Sequence, residues 1–186
     1  MSSRTRYVAL LRGINVGGKH KLPMADLKKE MTALGFANIT TLLNSGNVIF
    51  DAATGNEYEL EEQIGSHLQQ VFGFPVPVLI RTHEAILELI DLEPFKDIII
   101  TNDTRLYVSF LKDAPEVKLD LPWTSIDGSF RILHVCNKMI CTVLDLSVTK
   151  TPKGMDALEQ LYGKNMTTRN WNTIVRIAET VSKQLS

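Results

Sequence analysis

A glycine-bearing segment near the start of the chain contains the residues best suited to hold an anion. Gly13 to His20 has the sequence GINVGGKH, which matches the P-loop pattern G-x-x-x-x-G-K-[ST] except at its last position. His20 stands where that pattern needs a hydroxyl for Mg²⁺, so we do not expect a P-loop nucleoside triphosphatase. Two interpretations stay open: glycine N–H groups beside Arg12 and Lys19 surround an anion, or the glycines only allow a sharp turn.

A second polar segment, Asn44 to Asn47, has the composition of a hairpin turn. Ser45 lacks the G-x-S-x-G context of a serine nucleophile and has no base nearby in the sequence, so we predict a turn. The asparagine amides of this turn could orient a polar ligand.

A third segment, Thr167 to Thr173, is predicted to open the last helix, with its hydroxyl groups as caps. A helix start that carries Arg169 and Asn170 suits an anion, whereas Trp171 is expected to pack in the core. The three segments together supply the predicted ligand-binding residues: Arg12, Asn15, Gly17, Gly18, Lys19, Asn44, Ser45, Asn47, Arg169 and Asn170.

Catalysis and metal binding have less support in the sequence. His20 is the one residue of these segments that titrates near neutral pH, and it is a weak candidate for general acid-base catalysis. The chain's 4 histidines and 2 cysteines show no metal-ligand spacing. We expect no metal, and the sequence names no cofactor, reaction or oligomeric state.

The elements that position the first two segments follow the order βαββαβ over residues 1–82. Tyr7 to Leu11 predicts a buried strand, and Pro23 with apolar residues three or four apart predicts a helix that ends at Gly35. This order is typical of a ferredoxin-like α/β plait with the first and third strands central and antiparallel. In that topology the glycine segment and the hairpin turn emerge at the same end of the sheet.

Residues 83–186 are predicted to form a second, degenerate ferredoxin-like half with a C-terminal helix. Phe130 to Cys136 and Met139 to Leu146 indicate a hairpin, while Pro115 to Pro122 is weakly patterned. The predicted fold class is therefore α+β, with two plait halves packed into one compact unit, because no Pro-, Gly- or Ser-rich linker separates them.

Composition narrows the choice of function. The chain has 186 residues, of which 44% are hydrophobic and 22% charged, as in an ordinary globular protein. Its net charge of −1 gives no overall electrostatic attraction to nucleic acids or to anionic membranes. A nucleic-acid partner is not favoured, and no apolar run approaches the ~20 residues of a membrane span. We expect a cytoplasmic protein.

Five motifs, in order along the chain, resemble the bacterial family catalogued as domain of unknown function 1697: YVALLRGINVGGK, PMADLKKEMTALGF, SGNVIF, FGFPVPVLIRT and TTRNWNT. The resemblance implies two ferredoxin-like halves and no established activity. Family members usually place Tyr-Ile-Gln before SGN, where this chain has Leu42-Leu43-Asn44. Any ligand contact made by that aromatic and amide is altered here.

Three functions follow as hypotheses. The first is binding of a small anionic or phosphorylated ligand, such as a nucleotide, at the Arg12–Lys19 loop and the Asn44–Asn47 turn. The first alternative is an interaction module that docks a protein or nucleic acid on a plait sheet, although neither predicted central strand carries the aromatic and basic pattern of plait RNA binders. The second alternative is an enzyme that acts on a phosphorylated metabolite.

Overall fold

A computed structural model describes residues 4–185 of the chain. The chain divides into two compact units, one formed by Met1–Leu87 with Ile177–Ser186 and the other by Glu88–Arg176. The sequence pattern predicts a single boundary between residues 82 and 83. In the structure the division lies at 87/88, and the second half of the last helix belongs to the first unit.

The first unit contains the βαββαβ series. Its elements are β1 (Arg4–Leu11), α1 (Met24–Ala33), β2 (Ala37–Leu42), β3 (Asn47–Ala53), α2 (Glu57–Phe72) and β4 (Val78–Thr82), followed by α3 (His83–Asp91), which continues into the second unit. The helix ends follow local signals. Asn56 caps α2 by accepting a hydrogen bond from the Tyr58 amide at 2.9 Å, and Gly73 ends it at a φ of 78°.

The first sheet has the strand order β2-β3-β1-β4. β1 pairs antiparallel with β3, with Tyr7 opposite Phe50, and antiparallel with β4 on its other side. The predicted central pair is therefore confirmed, and so is the edge position of β4. This order brings the loop after β1 and the turn between β2 and β3 to one end of the sheet.

The core of the first unit lies between this sheet and the helices α1 and α2. Tyr7, Phe50 and Ile80 point into it beside Leu27 and Ile64. The opposite face of the central strands is buried as well, since Val8, Leu10 and Ile49 are all 0% exposed.

The second unit repeats the strand order of the first with a different crossover. Its elements are β5 (Thr104–Leu111), β6 (Trp123–Thr124), β7 (Phe130–Cys136), β8 (Met139–Asp145), α4 (Thr151–Tyr162) and β9 (Met166–Asn170), and α5 (Trp171–Leu185) begins in it. The sheet order is β6-β7-β8-β5-β9. Without β6 this is the order of the first sheet, so the two-plait fold class is confirmed. A loop and the short β6 stand where the first unit has α1.

The segment predicted to open the last helix forms a strand instead. Met166–Asn170 is β9, which pairs antiparallel with β5 from Leu111 opposite Met166 to Tyr107 opposite Asn170. The helix begins only at Trp171. The prediction of hydroxyl caps at Thr167 and Thr168 is wrong because two β-branched residues beside an open strand edge gain a full ladder of hydrogen bonds.

Two further properties concern the chain as a whole. Among the helices of residues 4–185, none combines the length and the apolar character needed to cross a membrane. The same residues contain no group of three or more His, Cys, Asp or Glu side chains placed to hold a metal ion.

Candidate functional site

The loop after β1 is a folded, hydrogen-bonded structure. We call residues 12–21 the basic loop. Its tip is a tight turn in which the Lys19 amide donates to the Val16 carbonyl at 3.1 Å, and its base closes where the Asn15 amide donates to the His20 carbonyl at 3.0 Å. Lys19 lies in this turn, and α1 starts only at Met24. The loop therefore does not have P-loop geometry, as the sequence analysis predicted.

Asn15 links the basic loop to the turn between β2 and β3. It has a φ of 55°, and its side-chain Nδ2 donates to the Leu22 carbonyl and to the Asn44 carbonyl, both at 2.9 Å. Its Oδ1 accepts from the Leu22 amide at 2.8 Å. The two segments that were predicted to meet do meet, and Asn15 is the residue that joins them.

Gly46 allows the turn to pack against the base of the loop. Its φ is 77°, and a Cβ added there would lie 2.7 Å from Ile14 Cδ1 and 2.8 Å from Leu11 Cβ. The Gly46 carbonyl also accepts a hydrogen bond from the Leu11 amide at 2.8 Å. A larger residue at this position would push the turn away from the loop.

The polar side chains of the turn differ in exposure. Asn44 and Ser45 are exposed, whereas Asn47 is fully buried. Asn47 Nδ2 donates to the Leu42 carbonyl at 2.8 Å and to Ser45 Oγ at 3.1 Å. Asn47 therefore holds the ends of the turn together from beneath, and the surface that faces solvent is made by Asn44 and Ser45.

Several donors of the basic loop have no partner among residues 4–185. They are the backbone amides of Gly17 and Gly18 and the ammonium groups of Lys19 and Lys21. All four residues are exposed. A loop with fixed backbone and unused donors can bind an anion without first ordering itself.

His20 is held by its ring rather than left to rotate. The ring stacks on Phe74 with centroids 4.6 Å apart and planes 16° apart. His20 Nδ1 lies 3.1 Å from the Gly13 carbonyl oxygen, which can only accept. Nδ1 therefore carries the proton in the neutral ring, and Nε2 is the atom left for a ligand.

The predicted site residues near the C-terminus lie in the second unit. Arg169 is a buried residue of β9, where Nη1 donates to Thr167 Oγ1 at 2.9 Å and to the Thr168 carbonyl at 3.0 Å. Burial lowers the pKa of Arg169 to about 10. Asn170 is exposed at the end of β9. Arg169 and Asn170 were expected at the start of a helix, but both belong to β9. Their role in binding stays a prediction.

The comparisons with known proteins agree with this architecture. A family model described as a protein of unknown function, DUF1697, matches residues 4–121, more than half of the chain. The chain belongs to the DUF1697 family. The matched part of this DUF1697 chain includes the basic loop and the turn of residues 43–46. No curated protein matched the chain.

A solved structure supports the fold of this DUF1697 chain over nearly its whole length. It is that of the conserved bacterial protein SP0830 from Streptococcus pneumoniae, with a TM-score of 0.72 and 24% sequence identity. The match covers 95% of this chain and 98% of that chain. At this level of identity the likeness concerns the fold alone.

Some residues that the structure brings to these surfaces were not predicted from the sequence. Phe74, which supports His20, is separated from it by the whole of α1, β2, β3 and α2, so no local pattern could find it. Lys21 could have been found, because it continues the run Lys19-His20-Lys21. In the second unit, Lys96 and Arg105 line one groove with Asn170. Their spacing in the sequence carried no signal.

Proposed function

We propose that this protein binds a small phosphate-bearing anion at the basic loop, beside the turn of residues 43–46. The observation that carries the proposal is the set of unused donors: the Gly17 and Gly18 amides and the Lys19 and Lys21 ammonium groups have no partner among residues 4–185. Successive backbone amides next to cationic side chains are suited to phosphate oxygens.

The positive charge of the basic loop favours binding of an anion. Arg12, Lys19 and Lys21 lie within ten residues, and the next acidic residue along the chain is Asp26, in the first turn of α1. With a net charge of −1 the whole protein does not attract anions, so this local excess of positive charge would direct a ligand to the loop.

The order of the loop supports binding as well. Asn15 ties it to Leu22 and to Asn44, and the stacking of His20 on Phe74 braces its end. Because these contacts exist without a ligand, little conformational entropy is lost when one binds. The ligand class includes nucleotides and phosphorylated metabolites, whose phosphate groups accept several hydrogen bonds at once.

Binding is favoured over catalysis at this loop. His20 is the one group of the loop suited to proton transfer near neutral pH, and its Nδ1 is engaged by the Gly13 carbonyl. An enzyme acting on a phosphorylated metabolite would need His20 Nε2 as its acid or base.

The test of the proposal is calorimetric titration with inorganic pyrophosphate. Each charge-assisted hydrogen bond contributes about 1.5–3 kcal/mol, so Lys19→Ala should weaken binding about tenfold or more while the melting temperature stays nearly unchanged. Lys29→Ala is the matched control, because Lys29 is an exposed lysine on α1, outside the loop. Equal affinities for the two variants, or no binding by the unmodified protein, would overturn the proposal.

The test of catalysis uses His20→Gln. If the loop only binds, this variant should weaken pyrophosphate binding much less than Lys19→Ala does, because it removes the stacking on Phe74 but no charge-assisted contact. If turnover of a phosphorylated substrate is found and His20→Gln loses most of its rate with binding intact, the protein is an enzyme.

A further inference from the structure

The second unit has a groove of about 890 Å³ that the proposed function does not use. It is lined by residues of α3, β5 and the start of α5, and by the segment between α3 and β5. We propose that this groove is a separate ligand site, for a small molecule that joins a flat apolar ring system to a carboxylate or phosphate group. Its volume is within the roughly 300–1,000 Å³ of small-molecule sites.

The groove exists because β9 pairs only with residues 107–111 of β5, so the first three residues of β5 have no neighbouring strand on that side. The last pair between these strands is Tyr107 with Asn170, after which the chain turns into α5. Residues 104–106 pair with β8 on one side and have no register partner in β9 on the other. An opening beside the first residues of β5 is the result, and Asn170 and Asn172 present exposed amides at its end.

An aromatic pair makes the apolar part of the groove. Phe95 is buried and Trp171 half-buried, with ring centroids 5.1 Å apart and planes at 69°. Leu106, which is half-buried, and Ile100, with 61% of its surface exposed, also line the groove. A flat ring that packs against Trp171 and Ile100 would remove this apolar surface from water.

A fixed guanidinium supplies the anion-binding part. Arg105 Nη1 donates to the Asn102 carbonyl at 2.7 Å and to the Thr104 carbonyl at 2.9 Å. These bonds hold the group in place, and its Nε and Nη2 have no partner among residues 4–185. A guanidinium fixed in this way can meet a carboxylate or phosphate with little loss of side-chain entropy.

The other charges of the groove also favour an anion. Lys96 is exposed and makes no ion pair within the described chain, and Glu93 is the one carboxylate in the lining. The lining therefore carries one more positive than negative side chain. Because the cations lie in the same groove as the aromatic pair, one ligand can use both.

The test measures binding of naphthalene-2-carboxylate by ¹H–¹⁵N NMR. We expect the Trp171 indole signal to shift and the Trp123 signal to stay, because Trp123 does not line the groove. The neutral analogue naphthalene-2-carboxamide should bind about tenfold more weakly, the effect of one charge-assisted contact. Equal affinities for the two compounds, or shifts confined to Trp123, would overturn the proposal.

Variants place the anion in the groove. Arg105→Gln should lower the affinity for the carboxylate about tenfold and leave that for the carboxamide unchanged. Arg131→Gln on β7 is the matched control, and equal loss in both variants would contradict the assignment. Lys96→Gln changes an exposed side chain and should weaken the carboxylate in the same direction, so the test stands even if Arg105→Gln folds poorly. Lys19→Ala should leave this affinity unchanged, which separates the groove from the basic loop.

Discussion

Each unit buries an arginine at the same place in its sheet. The arginine lies on β4 in the first unit and on β9 in the second, opposite a valine of the central strand β1 or β5. Arg81 is in register with Val8, and Arg169 with Val108. Arg81 is 1% exposed and Arg169 8%. A buried guanidinium loses its hydration, so hydrogen bonds or opposite charges must compensate it.

The two units compensate their arginines differently. Each Nη1 donates to a neutral carbonyl, that of Ile80 for Arg81 and that of Thr168 for Arg169. Glu57 and Glu61 of α2 also lie 3.7 and 3.9 Å from Arg81 Nη1, whereas Arg169 Nη1 also donates to Thr167 Oγ1. Burial lowers the pKa of Arg81, and the two glutamates oppose that shift. The repeated topology therefore sets where the arginine lies, and the neighbouring residues decide how its charge is balanced.

The largest effect is expected for Arg81→Met, which leaves Glu57 and Glu61 without their buried cation. Removing one partner of a buried ion pair costs about 3–5 kcal/mol of unfolding free energy, measurable by urea titration with far-UV circular dichroism. Adding Glu61→Gln should restore part of the loss, because the amide keeps an oxygen to accept the Ile80 N–H bond. A loss below about 1 kcal/mol would mean that the pair does not stabilise the core.

A smaller loss is expected for Arg169→Met, measured by the same urea titration. Thr167 Oγ1 and the Thr168 carbonyl, which accept from Arg169 Nη1, are neutral, and leaving such groups unsatisfied costs about 1–3 kcal/mol. The difference between the two losses of unfolding free energy then measures how much more it costs to leave buried carboxylates without a cation than to leave neutral acceptors without a donor. If both variants lose the same free energy, the carboxylates of α2 do not distinguish the two units.

The two units also differ at a glycine in corresponding helices, Gly65 in α2 and Gly154 in α4. A Cβ added at Gly154 of α4 would lie 2.5 Å from Leu144 Cδ2 and 3.0 Å from its Cγ, whereas at Gly65 of α2 the nearest atom is the Val76 carbonyl oxygen at 3.2 Å. Alanine gains about 1 kcal/mol in helix propensity over glycine, and overpacking costs about 1–3 kcal/mol.

We therefore expect Gly154→Ala to lower the melting temperature and Gly65→Ala to leave it nearly unchanged. Differential scanning calorimetry of the two variants measures both effects. A melting temperature raised by Gly154→Ala would show that Leu144 can move aside, which would make the second core less tightly packed than the first.

The smallest effects concern one carboxylate in each unit. Burial raises the pKa of Asp51, but hydrogen bonds from Arg6 at 2.7 Å and Asn38 at 2.7 Å outweigh it, and the net shift is downward. In the second unit the hydroxyls of Ser129 and Ser125 hold the pKa of Asp127 at about 2, although Asp127 is exposed.

Both lowered pKa values affect the free energy of unfolding in the same direction. A carboxyl with a lowered pKa in the folded state contributes stability above its unfolded pKa of about 3.9, and the contribution disappears as pH falls through the folded value. The melting temperature of Asp51→Asn should therefore fall less between about pH 5 and 3 than that of the unmodified protein. Asp127→Asn should differ less, because solvent screens an exposed group. The reverse ranking would assign the larger acid sensitivity to the second unit.

The first plait half was predictable because its signals are local. Pro23 and the apolar spacing of α1 lie within the helix, and the alternation of strand and helix patterns from Tyr7 to Thr82 has few topological solutions. The meeting of the basic loop with the turn of residues 43–46 followed from that topology. β9 was not predictable, since its five residues form a strand only through pairing with β5, 59 positions away at Ser109 and Thr168.

The sequence by itself determined the fold class, the near-miss to a P-loop at His20 and the concentration of positive charge in residues 12–21, because these depend on residue type and short spacing. Only the tertiary structure decided what those residues do. It made Asn15 a link between two loops, buried Asn47 and Arg169, and brought Lys96, Arg105 and Trp171 to one groove. The physical reason is that burial and hydrogen-bond partners depend on chain segments dozens of residues apart, and no local pattern records which of them will meet.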